Sequence, residues 1–287
     1  TRIEITTTQN SISGHIQGVP SEITLNRGQS YQIKARGDLT GSRVRVVGDK
    51  ADDCKKIAVY GGNKWVSVGA CGQANDHLYQ QAYPVNTWGN SFVHTALLGR
   101  SSGELVKVLA SEDNTEVRVN GVLQTKVLNR GEWMSLEFGA NESGKIDTSN
   151  PSSVTVFSKS QACNNPTAPF ATNGDPFMIT YSPTEQLLTQ LDFNAYSLPS
   201  IVNHYVNIVV KAGEENKTRL DGVNIGASFQ MLPGDPAFKI ARIEITQGVH
   251  NLSNPSGFTA YVYGFGNIES YGYAAGSALV NLNFETE

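Results

Sequence analysis

The chain has 287 residues, of which 39% are hydrophobic and 17% charged, and its formal net charge is -4. Such a length buries a core without covalent staples, and low charge with 28 Gly and 11 Pro suits short strands and many turns rather than charged surface helices. The acidic balance and scattered Lys and Arg argue against a nucleic-acid partner, and no apolar run reaches the length of a transmembrane helix, so no membrane insertion is expected.

In chain order, strand signals dominate. The chain opens on the strand-like "TRIEITTT" at Thr1, as a mature or excised fragment would. "ITLNRGQSYQI" from Ile23 places a turn between two strands, and "RVRVV" from Arg43 alternates as a half-buried strand does. Next come "KIAVYGG" from Lys56 and "GGNK" at Gly61 to Lys64. If "GGNK" turns a hairpin, Cys54 lies opposite Cys71, within disulfide range for an antiparallel pair. That bridge would imply an oxidising, extracellular setting. Cys163 is then left over, as a free thiol or paired outside the chain; three unrelated buried thiols are the alternative.

"TEVRVNGVLQTKVL" from Thr115 is a hairpin signal, with Asn120 and Gly121 as the positive-φ residues of a type I′ turn, and "TRLDGVNIGASF" from Thr218 repeats it with Asp221 and Gly222. "NNPTAPFATNGDP" (164–176) reads as a linker. "PTEQLLTQL" (183–191) predicts two turns of helix, with Ser182 as N-cap and Pro183 at the first helical position. "HYVNIVV" from His204 is a further strand, and "SYGYAAGSALVNLNF" from Ser270 ends the pattern.

These segments echo one another. "ITLNRGQSYQI" returns as "KVLNRGEWMSL" from Lys126 and more loosely as "QMLPGDPAFKI" from Gln230. Each copy is followed by an aromatic-ended apolar strand: "KIAVYGG", then "SVTVFSK" from Ser153, then "AYVYGFG" from Ala260. The expected fold is therefore all-β, with three pseudo-repeats of about 100 residues as antiparallel β-sandwich-like units packed together. The boundaries fall at 1–75 (a partial copy), 76–175 and 176–269. A closing strand in 270–287 is expected to return to the first repeat and cover its edge.

The ordered run "DHLYQQAYPVNTWGNSFV" from Asp76, "RSSGELVKVLASEDNTEVRVNG", "LNRGEW", "DPFMITYSPTEQ", "NHYVNIVV" and "GVHNLSNPSGFTAYVYGFGNIESYGY" resembles the IgGFc-binding protein N-terminal domain family. The resemblance implies a secreted or cell-surface β-rich module used for binding or adhesion. It carries over no catalytic residue and no ligand contact.

Candidate ligand-binding residues are Asp76 and His77, a polar pair in "NDHLYQQ"; Tyr83 and Trp88, aromatics among small polar residues; and Asn173 and Asp175 in the linker-like loop. Each also has a packing explanation. Trp65 is a further aromatic, in the presumed hairpin. One His with one Asp is a poor zinc set, and "SEDNTE" (111–116) and "NGDP" (173–176) offer clustered oxygens without EF-hand spacing, so no cofactor is expected and Ca²⁺ stays open. No nucleophile elbow, metalloprotease, P-loop or dinucleotide motif occurs, and no catalytic residue is nominated.

The functional expectation is a non-enzymatic, extracellular adhesion or binding module that recognises a protein or glycan on another surface. A structural fibre-tip or oligomerisation domain, for which a homotrimer is conceivable, is the alternative; a glycan-active enzyme, which needs two facing carboxylates, is the second.

Overall fold

The computed structural model describes residues 1–48, 55–71, 74–169 and 171–282. The regular structure of the described residues is almost wholly β, with a few short 3-10 turns. The chain enters through a three-stranded sheet of β1 (Arg2–Thr6), β2 (Ser21–Thr24) and β3 (Arg43–Val47), in the order β2-β1-β3. Then β4 (Tyr60–Val66) and β5 (Asp76–Gln81) pair as a two-stranded ribbon.

Two larger sheets follow. The first holds β6 (Gly89–His94), β7 (Glu104–Ala110), β8 (Val117–Val119), β9 (Val122–Leu123), β10 (Trp133–Phe138), β11 (Gly144–Ser158) and β12 (Met178–Thr180). The second holds β13 (Leu188–Ala195), β14 (Ile201–Lys211), β15 (Arg219–Leu220), β16 (Val223–Asn224), β17 (Gln230–Met231), β18 (Phe238–Ile245), β19 (Gly248–Gly266) and β20 (Glu269–Ala274).

Both are organised around one long strand. The first half of β11 pairs β6 and β8, and its second half pairs β7 and β12. The first half of β19 pairs β13 and β15, and its second half pairs β14 and β20. Outside these, β10 flanks β7 and β18 flanks β14. Residues 1–48 form a smaller sheet of different order, so the threefold pattern does not appear as three like sheets. The N-terminal copy shares its turn instead. Thr1 and Leu25 exchange backbone hydrogen bonds as Thr115 and Leu128 do, and the Asn26 N–H donates to Gln29 Oε1 (2.8 Å) as Asn129 N–H does to Glu132 Oε2 (2.9 Å). The two hairpin turns form where their sequence places them, with positive φ at Asn120 and Gly121 and at Asp221 and Gly222.

The two large sheets share a core. Along β19, Tyr261, Tyr263 and Phe265 belong to the cluster of Phe92, Val106, Val156 and Ile179, whereas Ala260 and Val262 belong to that of Phe193, Val206 and Leu252. Alternate side chains of a strand point to opposite faces, so a strand covered on both sides is buried throughout, as 258–265 are. Each such large side chain stabilises the fold by about 1.5–3 kcal/mol. A chain of buried hydrogen bonds crosses the junction: Tyr263 OH accepts from the Leu98 N–H (2.8 Å) and donates to Asn207 Oδ1 (2.8 Å), while Asn207 Nδ2 donates to Thr95 Oγ1 (3.0 Å). His94 Nε2 lies 3.4 Å from Glu104 Oε2, both fully buried, and His94 Nδ1 lies 2.9 Å from Tyr181 OH. Burial pushes the Tyr181 phenol well above its ordinary value.

Three expectations are corrected. "GGNK" does not turn: Tyr60–Val66 runs through as one strand, with 76–81 as its partner. Pro183–Gln186 is a turn rather than helix, and Leu188–Ala195 is a strand on β19, where Phe193 is buried, so packing overrides the local helical pattern. Among the described residues the closing strand pairs not with residues 1–75 but with β19, its immediate predecessor, because a tight turn closes a hairpin at less entropic cost than a return across the molecule.

Candidate binding surface

Among the described residues the β4–β5 ribbon presents the most exposed aromatic group. Gly62 pairs with Tyr79 and Tyr60 with Gln81. A Cβ on Gly62 would run into the Leu78 carbonyl oxygen, so only glycine fits there. Tyr79 stacks on Tyr60, with ring centroids 5.0 Å apart and planes 3° apart, and His77 continues the row at 5.7 Å. A ring beside a bare glycine is a recurrent means of holding a strand pair. A bulge between Asn63 and Val66 bends β4, and there the Trp65 N–H donates to Asn63 Oδ1 (3.0 Å). Tyr60, Trp65 and Tyr79 are 49%, 65% and 60% exposed, far from the usual state of large rings, whereas Leu78 and Val68 are buried and root the ribbon.

The root is covalent as well. Cys71 bonds Cys163, with Cα atoms 5.1 Å apart. This overturns the Cys54–Cys71 pairing and the expectation of a leftover Cys163; Cys54 lies outside the described residues. With "GGNK" extended, the chain delivers Cys71 to the loop after β11 instead of back across a hairpin. Backbone bonds lock the same place: Ser160 N–H to Val68 O (2.9 Å) and Val68 N–H to Ser160 Oγ (3.0 Å).

Below the disulfide, buried Arg100 gathers the loop ends. Its Nη2 donates to Lys159 O (2.6 Å) and Ser160 O (3.1 Å), its Nε to Asn164 Oδ1 (3.1 Å), and its guanidinium lies 5.2 Å from the Phe265 ring. Burial lowers its pKa to about 10, opposed by Glu104 and Asp175, so it stays cationic at neutral pH. Gly174, at φ +73°, lies where any Cβ would strike Arg100 Nη1.

The sequence candidates divide. Asp76 and His77 open β5; Asp76 Oδ1 accepts the His77 N–H (2.6 Å), and His77 is exposed beside Tyr79. Asp175 is buried. Its Oδ1 accepts from Ser270 Oγ (2.6 Å), and burial, with Asp76 and Glu269 adding and Ser270 and Arg100 opposing, pushes its pKa up to about 7. Asn173 bridges to Asn267, and its carbonyl accepts from Asn164 Nδ2 (3.0 Å). Tyr83 and Trp88 lie half-buried in another loop, where the indole N–H donates to Tyr83 O (3.0 Å), and burial raises the Tyr83 phenol. The C-terminal tail crosses that loop, Leu282 N–H donating to Asn86 O (2.8 Å). Asp76, Asn173 and Asp175 thus converge on the ribbon's root, while Tyr83 and Trp88 lie in the loop under the tail.

Tyr60 is absent from the sequence candidates, and Arg100 with it. Tyr60 acquires its role only when β4 and β5 pair in this register, though the bare "GG" beside an aromatic was a usable signal. Among the described residues no group of three His, Cys, Asp or Glu is arranged to hold a metal ion, and no helix is long and apolar enough to cross a membrane.

Fold and surface together define an all-β, disulfide-braced protein that displays aromatic rings on a two-stranded ribbon. The chain belongs to the family described as IgGFc binding protein, whose model matches residues 1–264. No curated protein matches it. Among solved structures, an anti-sigma factor domain-containing protein is 9% identical with a TM-score of 0.19, covering 67% of this chain and 84% of its own. The apo form of a Pleurotus ostreatus lectin is 10% identical with a TM-score of 0.20, covering 78% and 84%. Neither likeness carries an argument about fold or ligand.

Proposed function

We propose that this chain is an extracellular binding module that recognises a protein or glycan on another surface, holds it without chemistry, and forms part of a larger surface or fibre protein. The observation that carries this reading is the row of exposed rings, Tyr60, Tyr79 and His77, with Trp65 nearby, on a ribbon tied down at its base. Exposed aromatic groups on a rigid support are the usual material of recognition surfaces, because rings bring large contact area at small entropic cost. The family's name, which reports immunoglobulin Fc as a partner of a family member, supports a binding role and supplies one probe. The Cys71–Cys163 bridge supports an oxidising compartment.

The test is surface capture of the purified chain on immobilised Fc, on mucin-type glycoprotein and on a glycan array, in parallel with a Tyr60→Ala/Tyr79→Ala double variant. Binding by the parent to at least one surface, reduced in the variant, is expected. No binding to any surface, in a chain whose solution mass shows a stable oligomer, would overturn the reading in favour of a structural role.

A further inference from the structure

Exposed aromatic rings and exposed lysines occur in the same segment of chain. Among the described residues of 55–83, Lys55, Lys56 and Lys64 are exposed and Asp76 is the one carboxylate, whereas the chain as a whole carries a net charge of -4. Asp49, Asp52 and Asp53 precede the ribbon in sequence and lie outside the described residues. Gly62, opposite Tyr79, leaves the ring face of the strand without a side chain, while Tyr60 and Tyr79 remain 49% and 60% exposed, so the rings are open to solvent.

That shape selects among partners. Protein hot spots are anchors driven into desolvated pockets inside a ring of contacts that exclude water, and rings as exposed as Tyr60 and Tyr79 have no such enclosure. A pyranose needs none. Its C–H face is apolar and weakly positive, and it meets the electron-rich face of an aromatic ring without a cavity. The exposed lysines of the same segment, Lys56 just before β4 and Lys64 within it, then favour a sugar that carries its own negative charge, since each is a mobile point donor rather than a fixed fork.

Resting on the binding-module reading above, we infer that the β4–β5 ribbon takes an anionic glycan, with Tyr60, Tyr79 and Trp65 as the stacking surface and Lys56 and Lys64 as partners for its carboxylate or sulfate groups. Selectivity then has two separable parts: the rings read the sugar face and the lysines its charge.

The experiment uses the full chain on an array of neutral, sialylated and sulfated glycans, with poly-glutamate and a single-stranded oligonucleotide as anionic controls. The parent is expected to bind charged glycans above neutral ones and above both controls. Tyr79→Ala lowers that binding roughly tenfold, as loss of one aromatic stacking contact predicts, while Tyr79→Phe keeps it because the ring remains. Lys56→Gln/Lys64→Gln abolishes the preference for charged over neutral glycans and flattens the salt dependence. Tyr60, Tyr79, Lys56 and Lys64 are all exposed, and an unchanged melting curve verifies that each variant folds. Equal binding to poly-glutamate or the oligonucleotide, with Tyr79→Ala unaffected, overturns the inference in favour of plain charge attraction. Absence of glycan binding overturns it too; if Fc or another protein is still captured through Tyr60 and Tyr79, the binding-module reading survives, and if nothing is captured, both fall.

Discussion

Removing the disulfide tests how the ribbon is anchored. Cys71 and Cys163 are separated by 92 residues. In the chain-entropy account, a cross-link closing a loop of that length withdraws about 4.6 kcal/mol of disorder from the unfolded chain. With an unfolding entropy of about 2.1 cal/mol/K per residue, this amounts to a fall of about 8 °C in the melting temperature. Cys163→Ser and Cys71→Ser should each produce that loss under oxidising conditions, and reductant should then have little further effect on either. Cys54→Ser should melt as the parent does. Calorimetry of the three variants with and without reductant measures this, and proteolytic mapping of the oxidised chain reads the connectivity directly. A Cys54-containing disulfide peptide, or a Cys54→Ser variant as unstable as Cys163→Ser, would refute the pairing and with it the covalent root of the ribbon.

Two predictions concern buried polar groups. Tyr263→Phe removes a hydroxyl that pairs with both the Leu98 N–H and Asn207 Oδ1; leaving those groups buried and partnerless costs about 1–3 kcal/mol each, read as a lower denaturant midpoint at constant m-value. Asp175 governs pH dependence. Its folded pKa is raised from 3.8 to about 7, so between those values the folded protein holds a proton that the unfolded chain has lost. Stability therefore falls as pH rises across that window and levels off above it. Asp175→Asn keeps an oxygen to accept from Ser270 but cannot ionise, so it should flatten the profile and be the more stable form above pH 7. Parallel profiles for parent and variant would refute the assignment.

Much of the strand content could be read from local pattern. "RVRVV" is β3 in full, and "HYVNIVV" falls within β14, because alternating or β-branched runs suit a pleated surface whatever covers it. The turns at Asn120–Gly121 and Asp221–Gly222 were equally legible, since few residues besides Gly and Asn or Asp accept positive φ. Segment 183–191 misled for the complementary reason: its period fits a helix, but Phe193 and the β19 edge offer more burial to a strand.

The candidate site was only half legible. Asp76 and His77 drew attention as a polar pair, yet what surrounds them depends on Tyr60, which is sixteen positions or more upstream and reaches them through the β4–β5 register. The expected cysteine pairing failed on one local choice, whether "GGNK" turns or extends. Gly62 opposite Tyr79 resolves that choice, and no window around 61–64 contains Tyr79.

By itself, the sequence determined that this is an all-β chain with repeated turns, scattered charge and the ordered motifs of its family, because dihedral preferences and side-chain alternation act over a few residues. Only the tertiary structure decided which strands pair, which cysteines bond, that Tyr261, Tyr263 and Phe265 fill a core shared between two sheets, and that Tyr60, Tyr79 and His77 stack on one ribbon. Those outcomes depend on contacts between residues far apart in the chain, where the burial gained by one pairing must exceed that of every competing pairing, and no local stretch of sequence carries that comparison.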